Sequence, residues 1–179
     1  MGALILVAGA NGSGKSLFAE ELVGKTWGDR YYIATMAPQT EENFQRVEKH
    51  RRQREHLAFT TLELPYSVGE APITAASVVL LEDVSNLLAN NIFEKGVSMD
   101  MVYEDICKLL NRCELLIAVT ISGLNHRDYE GETAAYIASL ETLNQNLSLL
   151  ACAVVEMKEG CAHWEKGKPN IITAYGSTG

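Results

Sequence analysis

The sequence lacks a membrane-length apolar run. ALILVA, residues 3–8, is too short to span a bilayer, has no basic flank before it and flows directly into a glycine-rich turn, so neither a signal peptide nor a membrane helix is expected. Positive charge is also in deficit. A formal net charge of -8 disfavours general binding to nucleic-acid phosphates or anionic membranes, while leaving room for a local basic patch that binds a small phosphorylated ligand. Cys107, Cys113, Cys152 and Cys161 stand at wide, irregular spacings without a CxxC pair, which gives little support to a zinc or iron–sulfur site. They read as thiols in a reducing compartment, and a cytoplasmic protein is expected. No internal repeat or low-complexity segment interrupts the chain.

What is present is a chain of 179 residues, 47% hydrophobic, enough for one substantial core and therefore a single domain over 1–179. Residues 3–8 read as a buried strand, followed by a glycine turn and by KSLFAEELVG, a helix ending near Gly24. Residues 30–36 read as a second strand that ends in a loop at Pro38. The polar segment 40–56 reads as a helix with Phe44 and Val47 on its inward side, and residues 59–64 as a short strand. Gly69 and Pro72 mark a connection over 66–75. Strands are then expected at 76–83, 114–122 and 150–157, with a weaker one at 170–175. Helices are expected at 85–93, 99–112 and 132–149. Apolar strands alternating with amphipathic helices predict an α/β fold, a mostly parallel sheet with helices on both faces.

Gly9-Ala10-Asn11-Gly12-Ser13-Gly14-Lys15-Ser16 fits GxxxxGK[ST] at every fixed position, between a predicted strand and a predicted helix. Glycines let the backbone curl around phosphate oxygens and point N–H groups inward, and the helix N-terminus adds positive potential. Lys15 would reach the terminal phosphates and the Ser16 hydroxyl would join a magnesium shell. A P-loop NTPase-like nucleotide site follows, though the motif alone does not separate kinase, ATPase and GTPase. Glu82 and Asp83 end the predicted strand at 76–83, taken as a neighbour of the first, where either acid can orient magnesium; the alternative is a solvated pair that merely ends a strand.

His50 sits among Arg46, Lys49, Arg51, Arg52 and Arg54. One reading is an exposed charged helix, since Glu41, Glu42, Glu48 and Glu55 offset the positive charge. The other is a nucleophile, with neutral His50 attacking phosphorus while guanidinium groups stabilise the phosphate oxygens. Spacing does not choose between them.

The GANGSGKS loop, YIAT at 32–35, ENFQRVEKHRRQR, FTTLELP and VLLEDVSNLLANNIF at 79–93 together resemble the bifunctional adenosylcobinamide kinase and adenosylcobinamide-phosphate guanylyltransferase family of cobalamin biosynthesis. The likeness is strongest over the first 95 residues. It implies that a nucleoside triphosphate, ATP or GTP, phosphorylates the aminopropanol hydroxyl of adenosylcobinamide. It then implies that a histidine attacks the α-phosphorus of GTP and passes GMP to adenosylcobinamide phosphate. His50 matches that histidine, Lys15 and Ser16 the P-loop residues, Glu82 the acid after the central strand, and Arg46 and Arg54 the flanking arginines. The resemblance also implies a homotrimer with active sites near subunit boundaries.

The second half departs from the family pattern. Thr120-Ile121-Ser122-Gly123 replaces Asn-Glu-Val-Gly, Asn144 and Gln145 remain without the usual residues before them, and Phe59 stands where the family has tryptophan. Two rival readings follow: a diverged P-loop kinase or NTPase without corrinoid activity, and a nucleotide-binding regulatory protein. His56, His126 and His163 read as surface or structural residues, Trp27 and Trp164 as partly buried, and Asn90 as either a packing residue or a substrate contact.

Overall fold

The computed structural model describes residues 1–36 and 40–167, so Pro38 and the strand expected at 170–175 lie outside the described residues. Among the described residues seven strands form one sheet: β1 (Ala3–Gly9), β2 (Asp29–Ala34), β3 (Thr60–Glu63), β4 (Ser77–Glu82), β5 (Leu115–Ile121), β6 (Ala153–Lys158) and β7 (Cys161–Lys166). Their spatial order is β3-β2-β4-β5-β1-β6-β7. All adjacent pairs are parallel except β6 with β7.

The helices are α1 (Lys15–Gly24), α2 (Glu41–Gln53), α3 (Val84–Ala89), α4 (Met99–Arg112) and α5 (Gly131–Leu150), with α3 running on as a π-helical turn over Asn90–Lys95. The central strands β1, β4 and β5 are apolar on both sides because both faces are covered. Ile5, Val7, Leu80 and Ile117 meet Ala19, Leu22 and Val23 of α1 in one core. Leu4, Leu6, Leu81 and Leu116 meet Leu87, Ile106 and Leu143 of α3, α4 and α5 in the other. Each fully buried Leu or Ile contributes roughly 1.5–3 kcal/mol relative to exposure.

Local chemistry fixes the helix ends. Ser98 Oγ accepts the Met101 N–H at 3.5 Å and Arg112 occupies the last turn of α4, a cap at one end and a base against the dipole at the other. The connection over 66–75 is tied down by Asp105, whose carboxylate accepts the Val68 and Gly69 N–H groups at 2.6 and 3.1 Å. In α2, Thr40 Oγ1 accepts the Asn43 N–H at 3.2 Å, with Glu41 and Glu42 in the first turn and His50, Arg51 and Arg52 in the last. The charge order of that segment therefore also suits the helix dipole.

Four expectations change. Phe44 is 55% exposed and α2 buries no residue, so Phe44 does not face inward. Trp27 is 67% exposed rather than partly buried. The strand expected at 150–157 begins at Ala153, because α5 continues to Leu150. Strand β7 was not expected: Glu159 and Gly160, both at positive φ, close a two-residue hairpin of the type that matches strand twist.

Candidate active site

The phosphate loop leaves the carboxyl end of β1 and enters α1. Gly14 precedes the helix at φ 90, a left-handed conformation that favours glycine. At Gly9 the limit is space, since a Cβ there would lie 2.4 Å from Ser13 Oγ and 2.9 Å from the Met157 carbonyl oxygen. Ala10 O accepts the Ser13 N–H at 3.1 Å, and Gly160 N donates to Ser13 O at 3.0 Å, so the β6–β7 turn braces the loop. Asn11 and Gly12 form the exposed tip. Lys15 is buried, with Nζ donating to Ala10 O at 3.2 Å.

Glu82 and Asp83 reach this loop by a route the sequence reading did not give. Strand β4 is not next to β1, because β5 lies between them. Helix α1 crosses back over the sheet, and Ser16 Oγ donates to Glu82 Oε1 at 2.6 Å. Burial pushes the Glu82 carboxyl up to about 7, opposed by the Ser16 hydrogen bond and reinforced by Asp83. Burial raises Asp83 too, but that carboxylate caps α3 by accepting the Asn86 N–H at 2.7 Å. The two acids thus have different work, Glu82 facing the loop and Asp83 holding a helix. Thr35 fixes both: its Oγ1 accepts the Asp83 N–H at 2.8 Å and lies 3.1 and 2.9 Å from the Glu82 and Asp83 carbonyl oxygens.

Beside Ser16 opens a cleft of about 160 Å³. Helix α2 supplies one wall with Arg46, Val47 and His50, while Arg54 follows that helix into the cleft; Glu82 and Asp83 supply the opposite rim. The residues predicted from the phosphate motif and those predicted from the basic segment are therefore brought together. His50 itself is exposed. Arg54 is 4% exposed, its guanidinium carbon 3.5 Å from the Tyr32 ring centroid and its Nε without a hydrogen-bond partner among the described residues. A buried cation that keeps a free donor beside a cleft is suited to an anionic ligand.

Sequence reasoning gave no site role to Glu20, Tyr32, Glu63 and Asn86, which also line the cleft. Glu20 had a readable signal, since it lies four residues after Ser16 and so on the same flank of α1. Burial raises its carboxyl, against the pull of Arg54 and His56. The Asn90 amide donates to the Thr35 and Pro65 carbonyls at 2.8 and 2.9 Å.

The segment that departs from the family pattern satisfies itself. Thr120 Oγ1 donates to Asn144 Oδ1 at 2.7 Å, Asn144 Nδ2 donates to Ile121 O at 2.9 Å, and Ser122 Oγ donates to Glu156 Oε1 at 2.6 Å. His126 pairs with Glu141 at 2.8 Å on the surface, and His56 and His163 are exposed.

The oxygens of Ser16 and Glu82 are hard donors of the kind magnesium takes. Among the described residues no group of three His, Cys, Asp or Glu side chains could hold a metal. A cation here would thus draw the rest of its shell from phosphate and water, as magnesium at nucleotide sites does. No helix among the described residues is long and apolar enough to cross a membrane.

A model of the family described as cobinamide kinase / cobinamide phosphate guanyltransferase matches residues 5–163. The bifunctional adenosylcobalamin biosynthesis protein CobU of Escherichia coli (strain K12) is 39% identical over 101 residues, a match spanning 54% of this chain and 54% of that protein, about half the length of each. Among solved structures, one ATPase domain superposes with a TM-score of 0.50 at 10% identity, over 86% of this chain and 68% of that one. A prototypical ATPase from the type III secretion system of pathogenic bacteria gives 0.50 at 10% identity, over 98% and 61%. At that identity the structural matches speak to the fold, which is α/β and P-loop NTPase-like.

Proposed function

This chain belongs to the cobinamide kinase / cobinamide phosphate guanyltransferase family, and from that premise we propose that it catalyses both reactions of that name. The substrates are adenosylcobinamide, its phosphate, and ATP or GTP. The observation that carries the reading is the single cleft in which His50, Arg46 and Arg54 meet Ser16 and Glu82. A P-loop alone would support any NTPase; a histidine and two arginines over its rim suit nucleotidyl transfer.

In the kinase step main-chain N–H groups at the tip of the phosphate loop and entering α1, with the Lys15 ammonium, hold the triphosphate. The aminopropanol hydroxyl oxygen bonds to the γ-phosphorus, the bond from that phosphorus to the β–γ bridging oxygen breaks, the nucleoside diphosphate leaves and the hydroxyl proton passes to water. Ser16 and Glu82, with Asp83 behind them, would hold magnesium, which neutralises the β- and γ-oxygens when bound.

In the transfer step a ring nitrogen lone pair of neutral His50 bonds to the α-phosphorus of GTP and pyrophosphate departs. Arg46 and Arg54 hold the α-phosphate oxygens, where charge builds in the transition state. A phosphate oxygen of adenosylcobinamide phosphate then attacks the same phosphorus, and the nitrogen–phosphorus electron pair returns to His50. We also assign a homotrimer in the cytoplasm. Helix α2 buries no residue and leaves Phe44 exposed, which supports a subunit contact on that helix.

The test is product analysis with adenosylcobinamide, magnesium and ATP or GTP, by chromatography and mass. The reading expects a phosphorylated corrinoid first and its GMP adduct second. Triphosphate hydrolysis with no corrinoid product would favour a diverged NTPase, and binding without turnover a nucleotide-controlled regulator.

A further inference from the structure

Helix α1 shows the phosphate loop three different flanks. At about 100° per residue, buried Ala19, Leu22 and Val23 face the sheet, and Ser16 and Glu20 share the flank that lines the His50 cleft. Phe18 lies on the opposite flank, where its ring meets Trp164 of β7 edge to face, centroids 6.1 Å apart.

The register of the hairpin sets what stands beside Phe18. Met157 is level with Gly9, and Ala162 is opposite Met157, two residues from the pair Val155 and Trp164. Opposed residues of an antiparallel pair share a face, and Val155 and Met157 belong to the core under α1. Ala162 and Trp164 therefore stand on the α1 face, with the small Ala162 at the height of the loop. The hairpin turn also touches the loop: Gly160 Cα would be 3.4 Å from a Cβ at Gly14. Leu17, the residue after Ser16, is 64% exposed. Phe18, Ala162 and Trp164 thus form an apolar ledge next to the phosphate loop, on the side away from His50, while exposed Leu17 lies on the outward crest of α1 between the two flanks.

Resting on the functional reading above, we propose that this ledge seats the nucleobase of the phosphoryl donor in the kinase step, so that the enzyme holds nucleotide in two poses. A triphosphate anchored by Lys15 and Ser16 carries its α-phosphorus toward whichever side its nucleoside occupies. With the base on the ledge, the α-phosphorus points away from His50 and the cleft is free for the acceptor hydroxyl. With the nucleoside in the cleft, the α-phosphorus comes to His50. One phosphate loop then serves two chemistries by placing the base on one flank of α1 or the other.

The chain has two tryptophans, so Trp27→Phe leaves Trp164 as the sole reporter. That variant, titrated with magnesium and the β,γ-imido analogue of ATP, should show a saturable change in Trp164 emission. Ala162→Leu, which fills the ledge at loop height, should raise the KM for the kinase donor by about tenfold, the order of one lost base–aromatic contact. It should change guanylylation of His50 from GTP by less than about twofold. Unmoved Trp164 emission while equilibrium dialysis shows the analogue bound would overturn the proposal, as would an equal loss of both reactions in Ala162→Leu. Absence of guanylylation in the unaltered protein would instead count against the functional reading, and the Trp164 titration would still decide the ledge.

Discussion

Glu82→Gln should stabilise the metal-free protein, and by more as pH rises. The Glu82 carboxyl stands at about 7 against a usual 4.5, raised chiefly by burial. Between those values the native state binds more protons than the unfolded chain, so stability falls as pH rises through the interval. The linkage gives a cost of about 1 kcal/mol at pH 5 and about 3 kcal/mol at pH 8. Glutamine removes the titration and keeps an oxygen for the Ser16 hydroxyl, which donates to Glu82 Oε1 at 2.6 Å. The gain of the variant over the unaltered chain should therefore grow by about 2–3 kcal/mol between pH 5 and 8, roughly 4–12 °C in Tm for a domain of this size. Thermal melts of both proteins in EDTA across that range measure it. A pH-independent difference, or a loss of stability at pH 8, would refute the reasoning that desolvation governs Glu82.

Leu80→Ala, at a fully buried site in the central strand β4, should cost about 2–5 kcal/mol in urea unfolding, and a loss under about 1 kcal/mol would contradict the packing described. Arg54→Met keeps an unbranched apolar side chain at this buried position but removes the guanidinium that lies over the Tyr32 ring. His50 labelling by GTP should then fall on the order of 10²-fold with Tm changed by only a few degrees; intact labelling would remove Arg54 from the transfer step. The Cys113 thiol, pushed up to about 12 by burial, should resist iodoacetamide at pH 8, where almost none of it is thiolate. Exposed Cys161 should be alkylated first, and equal labelling of the two by peptide mass would show the core around Cys113 to be open.

Much of the fold was legible because its strands are buried on both faces. ALILVA, SVVLLE and LLIAVTI are short β-rich runs that a covered parallel sheet requires, and α4 matched residue for residue because Ser98 and Arg112 mark its ends. β7 was not legible: CAHWEK is an edge strand, mostly exposed, with little apolar alternation to read. Phe44 misled for a related reason, since α2 has no buried face and its helical spacing carries no information about depth.

The phosphate loop could be read from local spacing alone, whereas the cleft could not. Ser16 and Glu82 are 66 residues apart, and only the passage of α1 over β5 joins them. Thr35 was visible as part of YIAT but not as the residue that fixes both acids, because its partners lie at the end of β4. Glu20 needed only the helical repeat after Ser16, a signal in the sequence that the motif pattern overshadowed.

The central claim is that His50 becomes covalently guanylylated. Purified protein is incubated with magnesium and GTP labelled at either the α or the γ phosphate, denatured and counted, in parallel with His50→Ala. The account predicts acid-labile label retained from α-GTP alone and absent from the variant. Retention of γ label, equal α label in His50→Ala, or no label despite demonstrated GTP binding would contradict it.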